Sequence, residues 1–287
     1  ARPGEKVSTK ISWMNNLPNK LVNTKIVVQF SGENLDKASV SSDGGGFYRS
    51  IDNTIVFDKN NTQGFNSFDP GDRGSVSFAF APSQFSQTGA GKDIKISITV
   101  SGDQAFDNGK SEFISTSVQR TVKLATQINL RAATVRSVGA FENIGPVPPR
   151  VDQETTYTVQ WFATNSRNSV QKAKVSARLP EYVEWVGLTS PGTELVSFDP
   201  NSRTVTWNIG SLSAGVGYSS APRSAEFQIK FIPSISQLGA IPLLLSGSTL
   251  SGVDASTGTN VSVGTSELTT KFGSDPQYRL NDEIIVK

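Results

Sequence analysis

Residues 156–180 read TYTVQWFATNSRNSVQKAKVSARLP, and this stretch decides the fold. Tyr157, Val159 and Trp161 alternate with Thr156, Thr158 and Gln160, the period of two of a half-buried strand. Asn165-Ser166-Arg167-Asn168 supplies turn chemistry. Val175, Ala177 and Leu179 then alternate with Lys174, Ser176 and Arg178 until Pro180 stops the ladder. One face is apolar and the other polar, so the hairpin needs a second sheet to lie against.

The pattern occurs twice. Thr9, Ile11 and Trp13 precede Asn15-Asn16-Leu17-Pro18-Asn19, and Ile26, Val28 and Phe30 follow it. Aligning Trp13 with Trp161 and Ile26 with Val175 carries the correspondence onward. Thr54-Ile55-Val56-Phe57 matches Thr204-Val205-Thr206-Trp207, and Phe68-Asp69-Pro70-Gly71 matches Leu212-Ser213-Ala214-Gly215. Val100-Ser101-Gly102 matches Leu250-Ser251-Gly252, and Lys123-Leu124 matches Lys271-Phe272. Chance does not give so many matches in one order. The chain reads as two copies of one domain, with a period far too long for a solenoid.

In the first copy, strands are expected at 6–13, 24–30, 54–58, 74–80, 93–100 and 116–124, with loops at 41–46, 59–74 and 103–112. In the second they are expected near 155–162, 174–179, 203–209, 225–231, 242–250 and 267–272. Ser246 and Ser248 fall where Ile96 and Ile98 fell, which a bulge or a one-residue slip would repair. No helix of ordinary length emerges. Short strands separated by turn clusters predict an all-β chain of two tandem immunoglobulin-like β-sandwiches, residues 1–125 and 126–272, with a tail at 273–287.

Composition agrees. Gly 25, Pro 14 and a single Met favour strands and turns over helices, and 36% apolar residues suffice for sandwiches with solvated outer faces. The net charge of +2 is dispersed with no basic stripe, which argues against nucleic acid. The longest apolar run, residues 241–245, is far too short to span a bilayer, so no membrane insertion is expected. Cysteine is absent, and the first residue is Ala, which suggests an exported and processed protein stable without disulfides.

One resemblance can be named from its residues. Trp161, the turn at Asn165, Leu179-Pro180 and the run DPNSRTVTWNIGSLSAG from Asp199 to Gly215 resemble the immunoglobulin-like "conserved repeat" domains of bacterial and archaeal surface proteins, domain-of-unknown-function family eleven. The run GPVPPRVDQETTYTVQW from Gly145 to Trp161 resembles versions in candidate-phyla bacteria. The resemblance implies sandwich modules used as extracellular stalks, spacers or assembly units, with no shared catalytic site.

With neither His nor Cys, Ser-His-Asp triads, cysteine nucleophiles and most zinc or copper sites are excluded. A carboxylate pair for glycoside hydrolysis could be sought among Asp43, Asp58, Asp69 and Asp72, but all lie in or beside expected loops, where Asp is turn chemistry. Asp103, Asp107 and Asn108 are weak calcium candidates on one loop; no other metal and no cofactor is expected. Asn60-Asn61-Thr62 and Asn260-Val261-Ser262 fit the glycan acceptor rule and are expected in surface loops. Trp13, Trp161 and Trp207 read as core, leaving Trp185 as a surface aromatic.

The expectation for function is a non-enzymatic structural subunit of an extracellular or cell-surface assembly. The alternative is an adhesin or stalk module of a longer surface protein, its two ends the limits of a multi-domain chain, binding a ligand or other surface components through loops such as 41–46 or 103–112. The ends of the chain suggest how copies would join. Residues 126–138, TQINLRAATVRSV, read as an opening strand for the second domain, and nothing equivalent precedes Val7. The first domain thus offers an acceptor edge at Val7, Thr9, Ile11 and Trp13. The tail carries Leu280, Ile284 and Val286 as a candidate donor strand. Donor-strand complementation between copies would give a head-to-tail homopolymer.

Overall fold

The computed structural model describes residues 1–83 and 93–287. The chain divides into two compact units, Ala1–Ala125 and Thr126–Lys287. Both are all-β. The helical content among the described residues is one 3-10 turn at Ile235–Gln237.

The first unit holds β1 (Val7–Met14), β2 (Leu21–Ser31), β3 (Leu35–Asp43), β4 (Phe47–Arg49), β5 (Thr54–Asp58), β6 (Ser67–Phe68), β7 (Arg73–Pro82), β8 (Ile94–Ala105) and β9 (Ser111–Val122). They form a three-stranded sheet, β1-β7-β3, and a larger one ordered β4-β5-β2-β8-β9, with β6 beside β2. Ladders are antiparallel, and the inward residues of both sheets meet in one core around Ile26, Val28, Phe30, Phe57, Phe78 and Phe80.

The second unit holds β10 (Ile128–Val135), β11 (Thr155–Asn165), β12 (Val170–Arg178), β13 (Val183–Ser190), β14 (Leu195–Asp199), β15 (Thr204–Leu212), β16 (Arg223–Phe231), β17 (Leu243–Leu245), β18 (Thr249–Asp254), β19 (Asn260–Gly264) and β20 (Leu268–Thr269). Its sheets are ordered β10-β11-β16-β13 and β14-β15-β12-β18-β19, with β17 pairing β20. Trp161, Trp207, Tyr157, Phe227 and Phe231 are fully buried between them.

The larger sheets correspond strand for strand. Phe57, Ile26 and Val100 lie across one ladder of the first unit, and Trp207, Val175 and Leu250 across the same ladder of the second. The smaller sheets correspond as β1 to β11, β7 to β16 and β3 to β13. The strand β10 has no counterpart among the described residues of the first unit.

Several local expectations change. Residues 41–43 belong to β3 rather than to a loop, and Gly44 to Gly46 alone make the turn. Positive φ at Gly44 and Gly45 suits that turn. Residues 103–105 belong to β8, so the expected loop at 103–112 shrinks to a turn at 106–110. The expected strand at 242–250 is two strands, β17 and β18, and 267–272 holds only the two residues of β20. The serine that stands for Ile98 is accommodated chemically: buried Ser248 accepts the Trp161 indole N–H at 3.0 Å. A buried hydroxyl with a partner costs far less than an orphaned one.

Candidate functional site

The site starts from two asparagines. Asn15 closes β1, and its Nδ2 donates to Asn19 O (3.1 Å) and Phe68 O (2.9 Å). Asn165 closes β11, and its Nδ2 donates to Asn168 O (2.7 Å), Leu212 O (3.0 Å) and Ser213 O (3.0 Å). Their backbone N–H groups reach Asp72 O and Val216 O, each at 2.8 Å. Each carboxamide therefore staples a turn to the opposite sheet, and the two asparagines are one position of the repeat. This corrects the sequence alignment. Ile11, not Trp13, stands in the place of Trp161, and Trp13 stands in that of Ala163.

Strands β1 and β11 then differ in one respect. Along β11, Tyr157, Val159, Trp161 and Ala163 are all sealed, because β10 pairs with it from Ile128↔Asn165 to Val135↔Thr158. Along β1, Val7, Thr9, Ile11 and Trp13 share the inward face, but only Ile11 is buried; the others are half-buried. β1 pairs with β7 on one side, and no described strand pairs with its other edge. Trp13 is held from below, stacked on Phe68 with ring centroids 3.7 Å apart. Its indole also fills the space over Gly74, where any Cβ would collide with the ring.

The candidate donor residues are not brought together. Leu280 is 80% exposed and Ile284 and Val286 are half-buried, whereas Ile285 between them is 1% exposed. The reason is local. Hydrogen bonds from Tyr278 N to Asp275 O, Asp282 N to Arg279 O and Ile284 N to Asn281 O wind the segment through turns, so alternate residues share no face. The tail is moreover seated on its own unit. Val286 bridges Arg150, Ile285 N donates to Ala240 O (3.1 Å) and Thr270 Oγ1 to Glu283 O (2.7 Å).

Asp275 fastens that seat. Its carboxylate accepts the N–H groups of Arg136 and Ser137, both at 2.6 Å, and the Ser137 hydroxyl. Burial pushes the carboxyl up, but these bonds and the Gln277 N–H outweigh it and hold it below the ordinary Asp range. A tail bound in this way would have to abandon a buried side chain and a set of charge-assisted hydrogen bonds to serve another copy. Its placement therefore argues against the donor role expected for it.

The remaining candidates resolve into structural roles. Asp103 lies in β8, paired with Phe113 and accepting Asn23 Nδ2 at 3.0 Å, while Asp107 and Asn108 lie in the turn beyond Phe106. Among the described residues no cluster of three or more acidic side chains could hold a metal. Asp58 accepts the Asn60 N–H, and Asp72 accepts the Asp69 N–H, as turn residues do. Asp69 also pairs with Lys20 at 3.3 Å. Asn60 sits in a turn, whereas Asn260 opens β19 rather than lying in a loop. Trp185 is half-buried, stacked on Phe198 and tilted against Phe227, so it packs against the core instead of standing free. No described helix is long and apolar enough to cross a membrane.

No protein-family model matches the chain, and no curated protein matches it either, so the resemblance to the conserved-repeat family gains no support beyond the residues that carry it. Solved structures do resemble it. The C-terminal domain of the Streptococcus pyogenes antigen I/II-family protein AspA is 8% identical with a TM-score of 0.32, covering 93% of each chain. A variant of BcpA, the major pilin subunit of Bacillus cereus, is 8% identical with a TM-score of 0.34, covering 92% of this chain and 69% of that one. The full-length major pilin SpaD from Corynebacterium diphtheriae is 13% identical with a TM-score of 0.31, covering 87% of this chain and 59% of that one.

Proposed function

We propose that the chain is a non-enzymatic structural subunit of an extracellular, cell-surface assembly, and that subunits join where a strand from a neighbour pairs with the free edge of β1. One observation carries this reading: no described strand of the first unit fills the position that β10 fills in the second. An unpaired edge with half-buried apolar residues behind it is a template for strand addition, in which main-chain hydrogen bonds supply affinity and alternate side chains supply register. The contact is heterologous, because the strand that enters is not the edge that receives it. Repetition of such a contact builds a fibre.

The test is to fill the edge in cis. The sequence of β10 is fused ahead of Ala1 through a flexible loop, and the fused and unfused chains are compared by negative-stain microscopy and sedimentation at high concentration. The unfused chain is expected to form elongated assemblies and the fused chain to stay monomeric. Monomers from both, or identical assemblies from both, would defeat the reading.

A further inference from the structure

We infer that the accepting site has a second wall, the inward face of β9, and that it takes an extended segment of another subunit with aliphatic side chains on one face and a carboxylate on the other. This rests on the reading of β1 as an accepting edge. In the second unit β10 does more than pair with β11. It lies across β18 and β19 of the facing sheet and beside β20 of the small β17-β20 pair, where the Thr134 hydroxyl reaches Thr269 O at 3.5 Å. The first unit keeps that facing wall as β8 and β9, but no described strand lies between it and β1.

The wall is correspondingly bare. Register places Ile114 opposite Gly102, Val118 opposite Ile98, Arg120 opposite Ile96 and Val122 opposite Ile94, so these β9 residues share the core-facing side of β8. Ile114 and Val122 are only half-buried, and Val118 is 40% exposed. In the second unit Val261, opposite Gly252 as Ile114 is opposite Gly102, is buried. β9 is also far longer than its counterpart, 12 residues against 5 in β19. The full row on that side is Ile114, Thr116, Val118, Arg120 and Val122, three aliphatic side chains interrupted by exposed Thr116 and Arg120, with no described strand over it. Its aliphatic positions fit an incoming strand with aliphatic residues at alternate positions.

Charge sets the other face. Lys10 points outward from the middle of β1 and is exposed; the nearest acidic residue along the sheet, Asp43, lies beyond Ser77, two strands away. The residue of an incoming strand opposite Lys10 corresponds to Ala133, which in the second unit lies opposite Gln160. A carboxylate there makes a favourable cross-strand pair, and a lysine there a repulsive one.

The experiment uses the full chain and labelled peptides of the β10 sequence, Ile128–Val135, carrying either A133E or A133K, with fluorescence anisotropy as the readout. The A133E peptide is expected to bind roughly tenfold more tightly than A133K. The variant Val118→Asp, whose side chain is already partly exposed, should fold with unchanged far-UV circular dichroism yet bind the A133E peptide at least roughly tenfold more weakly, as expected for losing the burial of a valine. Equal binding of the two peptides, binding by Val118→Asp as tight as by the unmodified chain, or no binding of either peptide overturns the inference. If the cis-fused strand still blocks assembly while Val118→Asp changes nothing, the edge reading stands and the β9 wall falls.

Discussion

β1 and β11 occupy the same place in two copies of one sandwich, yet one is an edge and the other an interior strand. Their intrinsic patterns are alike: apolar or threonine residues at alternate positions, an asparagine at the end, a turn beyond. What differs is the neighbour. With β10 in place, the inward residues of β11 are fully sealed; with no described strand beside β1, Val7, Thr9 and Trp13 stay half-buried and only Ile11 is sealed. Burial in a sandwich is thus a property of the strand and its flank together. A pattern of period two announces which face turns inward and is silent on whether anything covers the edge.

The largest test of the comparison is the pair of tryptophans. Trp161→Ala deletes a fully buried side chain and strands the Ser248 hydroxyl, and should cost the second unit about 3–5 kcal/mol. Trp13→Ala removes a ring that is half-buried at the end of the first sandwich, and should cost that unit about 2 kcal/mol. Hydrogen exchange read separately over each unit distinguishes them. Equal losses would mean that Trp13 and Trp161 hold equivalent positions after all.

Next come the asparagines that set the corrected alignment. Asn165→Ala removes a donor from three backbone carbonyls and the acceptor of the Thr126 hydroxyl, which donates to Asn165 Oδ1 at 2.5 Å, for an expected loss of about 2–3 kcal/mol. Asn15→Ala removes a donor from two carbonyls, for about 1–2 kcal/mol. A neutral result at either position, by urea denaturation, would remove the asparagine as the fixed point of the repeat.

That fixed point marks what sequence could and could not reveal. β2, β11, β12 and β15 were legible because an unbroken run in each, residues 24–30, 157–165, 173–177 and 205–209, keeps every second residue buried, with the register shifts of β2 and β12 confined to their starts. β5 was legible as a short run buried on both faces. β3 and β13 were not legible, and both carry register shifts against their partners, between Asp36 and Ser41 and between Trp185 and Thr189. A bulge breaks the period on which recognition depends. Two tryptophans drew the alignment away from two asparagines because an indole is conspicuous and a carboxamide is not. Val7, Thr9, Ile11 and Trp13 do share a face, as alternation predicts. The tail misled for the opposite reason: Leu280, Ile284 and Val286 have strand spacing, but turns separate them. β9 went unnoticed as a wall because its exposed, Ser- and Thr-rich sequence looks like solvent-facing hairpin.

Acid separates the units at a smaller scale. Asp254, fully buried at the end of β18, accepts Thr126 N (2.6 Å), Asn168 Nδ2 (3.0 Å), Ser256 N (2.8 Å) and Thr257 N (3.0 Å). Burial pushes its carboxyl up, but the Asn168 side chain and the three N–H groups prevail and hold it below the ordinary range. A depressed folded pKa contributes stability that is present above the unfolded value of about 3.9 and lost as pH falls through the folded value. In the first unit the register position is Gln104, opposite Leu21 as Asp254 is opposite Val170, and it does not titrate. Below about pH 4 the amides of β18 should therefore lose protection in a way that Asp254→Asn abolishes. At pH 7 that variant should cost about 1–2 kcal/mol. An unchanged acid profile in Asp254→Asn would show that other carboxylates carry the effect.

The smallest effect belongs to β10, the strand without a counterpart among the described residues of the first unit. Arg131, on the outer face of β10, lies opposite Phe162 in register, with its guanidinium carbon 4.3 Å from the ring centroid. Exposed cation–π contacts are worth about 0.5–1 kcal/mol, so Arg131→Ala should destabilise the β10 flank by about that much. Lysine cannot lie flat on the ring as the planar guanidinium does, so Arg131→Lys should recover less than half of the loss. A double-mutant cycle with Phe162→Ala isolates the pair from the loss of either side chain alone. In the first unit Ser12 stands in the place of Phe162, with no described strand beside it, so Ser12→Phe should leave stability within about 0.5 kcal/mol of the parent, as surface substitutions usually do. A coupling energy near zero between Arg131 and Phe162 would mean that the ladder alone holds β10 in place. Stabilisation of the first unit by Ser12→Phe would mean that its edge is already covered in solution.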